Sequence, residues 1–255
     1  MLWKYNGQKK KGETLIREAP ERFKLEDTTI WSFPERGNWA THSGKYRGNW
    51  SPYIPRNIIL RYSKKKEWIL DQFLGSGTTL IEAKLLGRNA IGVDINSEAV
   101  KLSNTNLNFA CQERSKIFTK QGKANNLSFI KDKSIDLICT HPPYADIIRY
   151  SKEIPGDISH LRYEEFLTEL EQVAKESYRV LKKQGICSFM IGDIRRKGYV
   201  LPLGMNSMQK FVDAGFKLKE IVIKEQHNCK TTEYWENIEK AFLMLAHEYI
   251  FVLEK

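Results

Sequence analysis

From Trp68 onward, short apolar runs alternate with longer stretches whose apolar residues recur every three or four positions. "EWILDQF" reads as a strand, and "TTLIEAKLLG" as a helix closed by Gly87. "NAIGVD" is a second strand, followed by the helical "SEAVKLSNTNLNFA", with "KIFTKQ" and "SIDLICT" as further strands. The clearest helix is "RYEEFLTELEQVAKESYRVLKKQG". In it Phe166, Leu167, Leu170, Val173, Ala174, Tyr178 and Leu181 form one stripe, and Lys182, Lys183 and Gly185 mark the end. "ICSFMIGD" follows as a strand, "MNSMQKFVDAG" as a helix, and "KLKEIVIKE" and "HEYIFVLE" as strands. Strands separated by helices need crossover connections, so the pattern predicts an α/β fold: a mainly parallel seven-stranded sheet with helices on both faces. No helical pattern separates the last two strands, so the last strand is expected to be antiparallel. Residues 1–35 are polar and broken by Pro20 and Pro34, and read as an N-terminal extension to one domain over 36–255.

Two stretches carry chemistry. "DQFLGSGTT" joins the first strand to the first helix, and doubly wound sheets bind ligands at that turn. Gly75 and Gly77 let the backbone turn tightly and approach a ligand, while Ser76, Thr78 and Thr79 can cap the helix or hydrogen-bond a polar group. A tight connection alone would explain the glycines, but Asp94 stands at the end of the next strand, where a carboxylate accepts from both ribose hydroxyls. The turn matches neither the phosphate-cradling G-x-x-x-x-G-K-[ST] nor the dinucleotide G-x-G-x-x-G. The second stretch is "SIDLICTHPPY". Proline cannot donate to a ladder, so Pro142 and Pro143 must lie just beyond the strand end, with His141 before them and Tyr144 after.

Charge sharpens the picture. The chain of 255 residues has 41 Lys+Arg against 31 Asp+Glu, a net +10 that favours a polyanion partner without separating DNA from RNA. Cys111, Cys139, Cys187 and Cys229 are scattered with no C-x-x-C pair, which argues against disulfides and structural zinc and for a reducing cytoplasm. The start, "MLWKYNGQKKKGE", lacks the apolar core of a signal peptide, and no apolar run approaches a membrane span.

"DQFLGSGTTLIEAKLLGRNAIGVDIN" together with "THPPY" resembles the amino-methyltransferase family, the S-adenosylmethionine-dependent DNA enzymes that methylate exocyclic amines. "SPYIPRNIILRYS", "RVLKKQGICSFMIGDIRRKGYVLPLG" and "AHEYIFVLEK" extend the resemblance over most of the chain. It implies a Rossmann-like methyltransferase fold, S-adenosylmethionine as cofactor with no metal, and double-stranded DNA as partner. By the resemblance, Phe73, Gly75, Ser76, Gly77, Thr78 and Thr79 hold the methionine part. Asp94 holds the ribose, Tyr53 and Pro55 lie near the methionine carboxylate, and Asp71, Ile95 and Asn96 complete the cofactor set. "GKANNL" would border the adenine; the family commonly has an acid at its second position, where this chain has Lys123.

His141, Pro142, Pro143 and Tyr144 are the implied catalytic residues. An exocyclic nitrogen keeps its lone pair delocalised into the ring. Acceptors that grip the amine's two protons favour pyramidalisation and localise that pair. Two prolines present carbonyls without competing N–H donors, a neutral His141 can add a side-chain acceptor, and Tyr144 can stack on a flipped base. The family usually has Asp, Asn or Ser at position 141: acid or amide with adenine N6, Ser after Thr with cytosine N4. Thr140 is kept and no acid or amide follows, which favours cytosine N4 over adenine N6.

The expected function is a site-specific DNA methyltransferase in a prokaryotic restriction–modification setting, cytoplasmic and nucleoid-associated through DNA, monomer or homodimer. That setting would supply a cognate endonuclease as a second partner. An RNA or protein amide methyltransferase, and a non-catalytic nucleic-acid-binding protein on the same scaffold, are the alternatives. No large separate target-recognition domain is expected. The candidate readers are "QKKKGETLIREAPERFK", "ADIIRYSKEIPGDISHLR", "IRRKG" and "HNCKTTEYWENIEK", each equally readable as a solvated loop. His227 and His247 read as structural.

Overall fold

The computed structural model describes residues 16–152, 154–227 and 243–255. Cys229, the first part of the "QKKKGETLIREAPERFK" segment, and all of "HNCKTTEYWENIEK" after His227 lie outside the described residues. The chain runs β1 (Ile30–Trp31), α1 (Tyr53–Tyr62), β2 (Trp68–Asp71), α2 (Thr78–Leu85), β3 (Asn89–Asp94), α3 (Ser97–Asn106), β4 (Ile117–Gln121) and β5 (Ile135–Thr140). Then come α4 (Tyr163–Val180), β6 (Leu181–Ile191), the hairpin β7 (Ile194–Arg196) and β8 (Tyr199–Leu201), α5 (Leu203–Asp213), β9 (Lys217–Glu225) and β10 (His247–Glu254).

One sheet has the order β1-β9-β10-β6-β5-β2-β3-β4. β2 pairs in parallel with β3 and β5, and β5 with β6. β10 runs antiparallel to both β6 and β9, as expected for the last strand. The seven expected strands are present, and the sheet has eight because Ile30–Trp31, inside the polar N-terminal stretch, pairs in parallel with β9. Trp31 anchors that added strand, at 3% exposure.

Period-two alternation sends neighbouring residues of each central strand into different layers. Leu137 and Cys139 of β5, with Ile250 and Val252 of β10, pack against Ile54 and Ile58 of α1 and Leu80 of α2. Ile138 of β5, with Phe251 and Leu253 of β10, packs against Phe166, Leu170 and Val173 of α4 and Phe211 of α5. The expected end of α4 needs correction. The helix stops at Val180, and Leu181, Lys182 and Lys183 already belong to β6. Leu181 completes the apolar stripe while its backbone is extended and paired with Ile135, so side-chain periodicity outruns the helix. Loop amides close it instead: Lys133 N donates to Arg179 O at 3.1 Å and Ser134 N to Val180 O at 2.9 Å. Among the described residues, no helix is long and apolar enough to cross a membrane.

The segment ahead of α1 is fastened to α2 through one buried carboxylate. Glu82, fully buried, accepts from Trp39 Nε1 at 2.6 Å, His42 Nε2 at 2.7 Å and Arg56 Nη1 at 2.8 Å. Removing one partner of a buried ion pair leaves the other uncompensated, at about 3–5 kcal/mol. Glu82→Ala should therefore lower the unfolding free energy by about that much in urea titrations. A loss below about 1 kcal/mol would mean that Arg56 and His42 find other partners.

Candidate functional site

From β2 the chain moves outward to β3 and β4, then returns to place β5 on the other side of β2. That reversal opens a crevice beyond the carboxyl ends of β2 and β5, where open α/β sheets bind ligands. The two motifs singled out in the sequence leave those two strand ends. They are joined directly: Thr140 Oγ1 donates to Asp71 Oδ1 at 2.7 Å and accepts from Gln72 N at 3.2 Å. Burial pushes the Asp71 carboxyl up to about 6, against the lowering pull of the Thr79 and Thr140 hydroxyls.

Gly77 caps α2 in the left-handed region (φ +88°), and a Cβ there would lie 2.5 Å from Ser103 Oγ. Gly75 has φ +50°, and its amide donates to Asp94 Oδ2 at 2.8 Å. Asp94 Oδ1 accepts from Asn96 N at 2.9 Å, so the carboxylate braces the turn while each oxygen keeps lone-pair capacity. Burial raises the Asp94 carboxyl, with the Asn96 and Gly75 amides pulling the other way. Asn49 clamps the turn from outside: its Nδ2 donates to Ser76 Oγ at 2.7 Å, and its Oδ1 accepts from Thr78 Oγ1 at 2.6 Å.

These groups border one cleft. Asp71, Phe73, Gly75, Thr78, Asp94, Ile95 and Asn96 line it, so seven of the expected cofactor residues meet in one space. Ser76, Gly77 and Thr79 shape the turn from behind without lining the cleft. Tyr53 and Pro55 also lie off it: Tyr53 is stacked on Phe33 at 5.3 Å and edge-on to Trp39 at 4.8 Å, and Pro55 is buried in α1. Lys123, Ala124 and Asn125, from "GKANNL", line the cleft too. Asp157, from a later loop, also lines it, its carboxylate accepting from Ser159 N at 2.9 Å and Ser151 Oγ at 2.6 Å.

His141 and Pro143 line this cleft as well, whereas Pro142 is buried and lines neither it nor its neighbour. Tyr144 lines a wider second cleft. The His141 ring lies parallel to the Trp50 indole, centroids 5.3 Å apart and planes 18° apart. Its Nε2 is 3.0 Å from Tyr144 Oη, which donates to Glu248 Oε1 at 2.6 Å; Lys224 Nζ donates to Glu248 Oε2 at 3.0 Å. Burial pushes His141 down to about 4 and Tyr144 well up. Burial alone would raise the Glu248 carboxyl, but Lys224, His141 and Tyr144 together hold it below its ordinary value. Trp50, Asn49, Glu248 and Lys224 were not singled out in the sequence. The available signal was weak: one charge among the several of β9, one charge near the start of β10, and the polar–aromatic run "GNWSPY".

A family model described as "DNA methylase" matches residues 2–105 and 135–255. The chain belongs to this DNA methylase family. A second model, "RMKL-like, methyltransferase domain", matches residues 59–185. The Type II methyltransferase M2.LlaDCHI of Lactococcus lactis subsp. cremoris is 34% identical over 113 residues, 42% of this chain and 41% of that protein. The Type II methyltransferase M2.DpnII of Streptococcus pneumoniae is 33% identical over 112 residues, again 42% and 41%. The chain thus spans about two fifths of the length of these curated relatives. A SAM-dependent methyltransferase structure from Methanosarcina mazei superposes with a TM-score of 0.53 at 19% identity, over 78% of this chain and 96% of that one, and shares the fold. S-adenosylmethionine is the methyl donor of the DNA methylase family, and the cleft suits it: a glycine turn without side-chain bulk beside a carboxylate with acceptor capacity to spare.

Two titrating groups of the site make opposite contributions to stability in acid. His141, lowered from 6.5 to about 4, contributes stability that is present above pH 6.5 and lost as the pH falls towards 4. Asp71, raised from 3.8 to about 6, contributes stability that is present below pH 3.8 and lost as the pH rises through 6. Urea titrations at pH 7 and at about pH 4.5 should therefore show His141→Asn losing less stability on acidification than the parent, and Asp71→Asn losing more. Each difference should be at most roughly 3 kcal/mol. The same sign for both variants would contradict these protonation states.

Proposed function

We propose that the protein is a site-specific DNA amino-methyltransferase, moving a methyl group from S-adenosylmethionine to the exocyclic amine of a flipped base in a restriction–modification setting. One observation carries this: the narrow and wide clefts share Gly48, Asn49, Trp50, His141 and Tyr150, so a cofactor in the first and a base in the second would meet at His-Pro-Pro-Tyr. Family membership and the Type II relatives support DNA as the substrate, and the net charge of +10 fits a polyanion. In this setting double-stranded DNA and a cognate endonuclease are the partners, in the cytoplasm.

S-adenosylmethionine, when bound, supplies an electrophilic methyl carbon on a sulfonium. Asp94 would accept from the ribose hydroxyls with the lone pairs that Gly75 and Asn96 leave free. Phe73, Gly75 and Thr78 would border the methionine part, and Asn125 with Asp157 the base. His141 and the proline carbonyls would hold the amine's protons and localise its lone pair. Tyr144 offers its ring to the base from the wide cleft. We assign cytosine N4 as the amine because position 141 carries neither acid nor amide. Thr140 does not bear on that choice, since its hydroxyl is committed to Asp71 and Gln72.

The test is a digest of unmethylated genomic DNA after incubation with enzyme and S-adenosylmethionine, with methylated nucleosides quantified by mass spectrometry. N4-methylcytosine is the expected product. N6-methyladenine would keep the reaction class and reverse the base, and no methylated base from DNA would overturn the proposal. In calorimetry, Asp94→Ala should weaken S-adenosylmethionine binding by about tenfold or more, because hydrogen bonds to charged groups contribute about 1.5–3 kcal/mol. Unchanged affinity would remove Asp94 from the ribose.

A further inference from the structure

His141 raises a difficulty that Asp, Asn or Ser would not. A carboxylate, carboxamide or hydroxyl always has an oxygen acceptor, but a neutral imidazole has one acceptor nitrogen and one donor, and which is which depends on its partners. The groups around His141 settle the matter by counting protons. Glu248 is 8% exposed, ion-paired to Lys224 and held ionised, so it can only accept. At 2.6 Å, Tyr144 Oη must therefore give it the phenolic proton. The same oxygen then has only lone pairs left for His141 Nε2 at 3.0 Å, so Nε2 must carry the ring proton. Nδ1 becomes the unprotonated nitrogen, and among the described residues it has no hydrogen-bond partner. The ring borders both clefts and is held flat against Trp50.

We propose that Glu248 is a positioning residue that acts through Tyr144 to fix His141 as its Nε2–H tautomer, leaving Nδ1 as the acceptor for the target amine. The use of that acceptor rests on the methyltransferase function proposed above; the tautomer does not. Without Glu248 the Tyr144 hydroxyl is free to turn and donate to Nε2. The ring proton then moves to Nδ1, which becomes a donor facing an amine that is itself a donor. Lys224 supports the arrangement by neutralising Glu248 in a site where a lone carboxylate would take up a proton and turn donor itself.

The test reads the tautomer directly. Long-range proton–nitrogen NMR spectra of the full chain, labelled with 15N-histidine, distinguish protonated from bare ring nitrogens, and the His141 signals are those lost in His141→Asn. At pH 7 the expected pattern is a protonated Nε2 and a bare Nδ1; a protonated Nδ1 or a doubly protonated ring overturns the proposal. This needs no variant at Glu248 and no active enzyme, so it stands apart from the outcome of the nucleoside digest. Lys224→Met/Glu248→Leu removes both charges together, avoiding a stranded ion. In that variant the His141 proton should shift to Nδ1, with the methylation kcat down about tenfold or more and S-adenosylmethionine affinity unchanged. The same double replacement in a His141→Asn background should cost much less, because the amide carbonyl needs no tautomer control. Equal losses in both backgrounds, or an unmoved proton, would reduce Glu248 to a structural support for Tyr144.

Discussion

Glu82 sits on α2 without solvent contact and takes hydrogen bonds from Trp39, His42 and Arg56. A buried carboxylate is costly unless every acceptor site is used, and here three donors converge on it. Trp39 and His42 come from the segment before α1, and Arg56 comes from α1 itself. Everything between them is therefore pinned over the first strand-to-helix turn. Arg36 adds a second tie, donating to the carbonyls of Asn49 at 2.6 Å and Trp50 at 2.7 Å. Asn49 thus reaches the hydroxyls of Ser76 and Thr78, and Trp50 is set against His141. The segment that forms the wall between the two clefts is tied down on both sides, to the buried Glu82 carboxylate through Trp39, His42 and Arg56.

The sheet was legible because its signals are local. Leu137 and Ile138 face opposite layers, so β5 reads as a buried run bounded by charge and proline, and β2 and β3 read as buried runs bounded by charge. The glycine turn and the acid of β3 were legible too, since turn chemistry and strand ends are written in adjacent residues. Ile30–Trp31 was not, because a two-residue strand has no period and exists only through its pairing with β9. Leu181 misled for a physical reason: one side chain completes a helical stripe while its backbone has already joined the sheet.

The site was half legible for a related reason. Ser76 and Thr78 fit a ligand-facing role in sequence, but Asn49, from a distant segment, occupies their hydroxyls. Tyr53 belongs to an aromatic stack with Phe33 and Trp39 that no spacing rule reveals. Lys224 and Glu248 stand on neighbouring antiparallel strands and face each other in register. A pairing made by strand register cannot be seen before the register is known. Lys224, one of five charges in β9, and Glu248, next to His247 at the start of β10, look like ordinary surface charges until that register is known.

Methyl transfer demands that two ligands be held to within a fraction of an ångström, and flexible loops do not provide that. In this fold the tolerance is set by the join between Asp71 and Thr140, 69 residues apart in sequence and 2.7 Å apart in space. Asp71 lies two residues before Phe73, and Thr140 immediately precedes His141. Neither motif has enough intervening chain to drift from its strand end, and the strands are in register through Ile69–Leu137 and Leu70–Ile138. A cofactor and a base held at these two motifs would then be spaced by the sheet more than by either loop. Beside that join, His141 is held through its Nε2 to Tyr144 Oη and through Tyr144 to Glu248, so the ring at the second motif is fixed by a later strand as well as by its own.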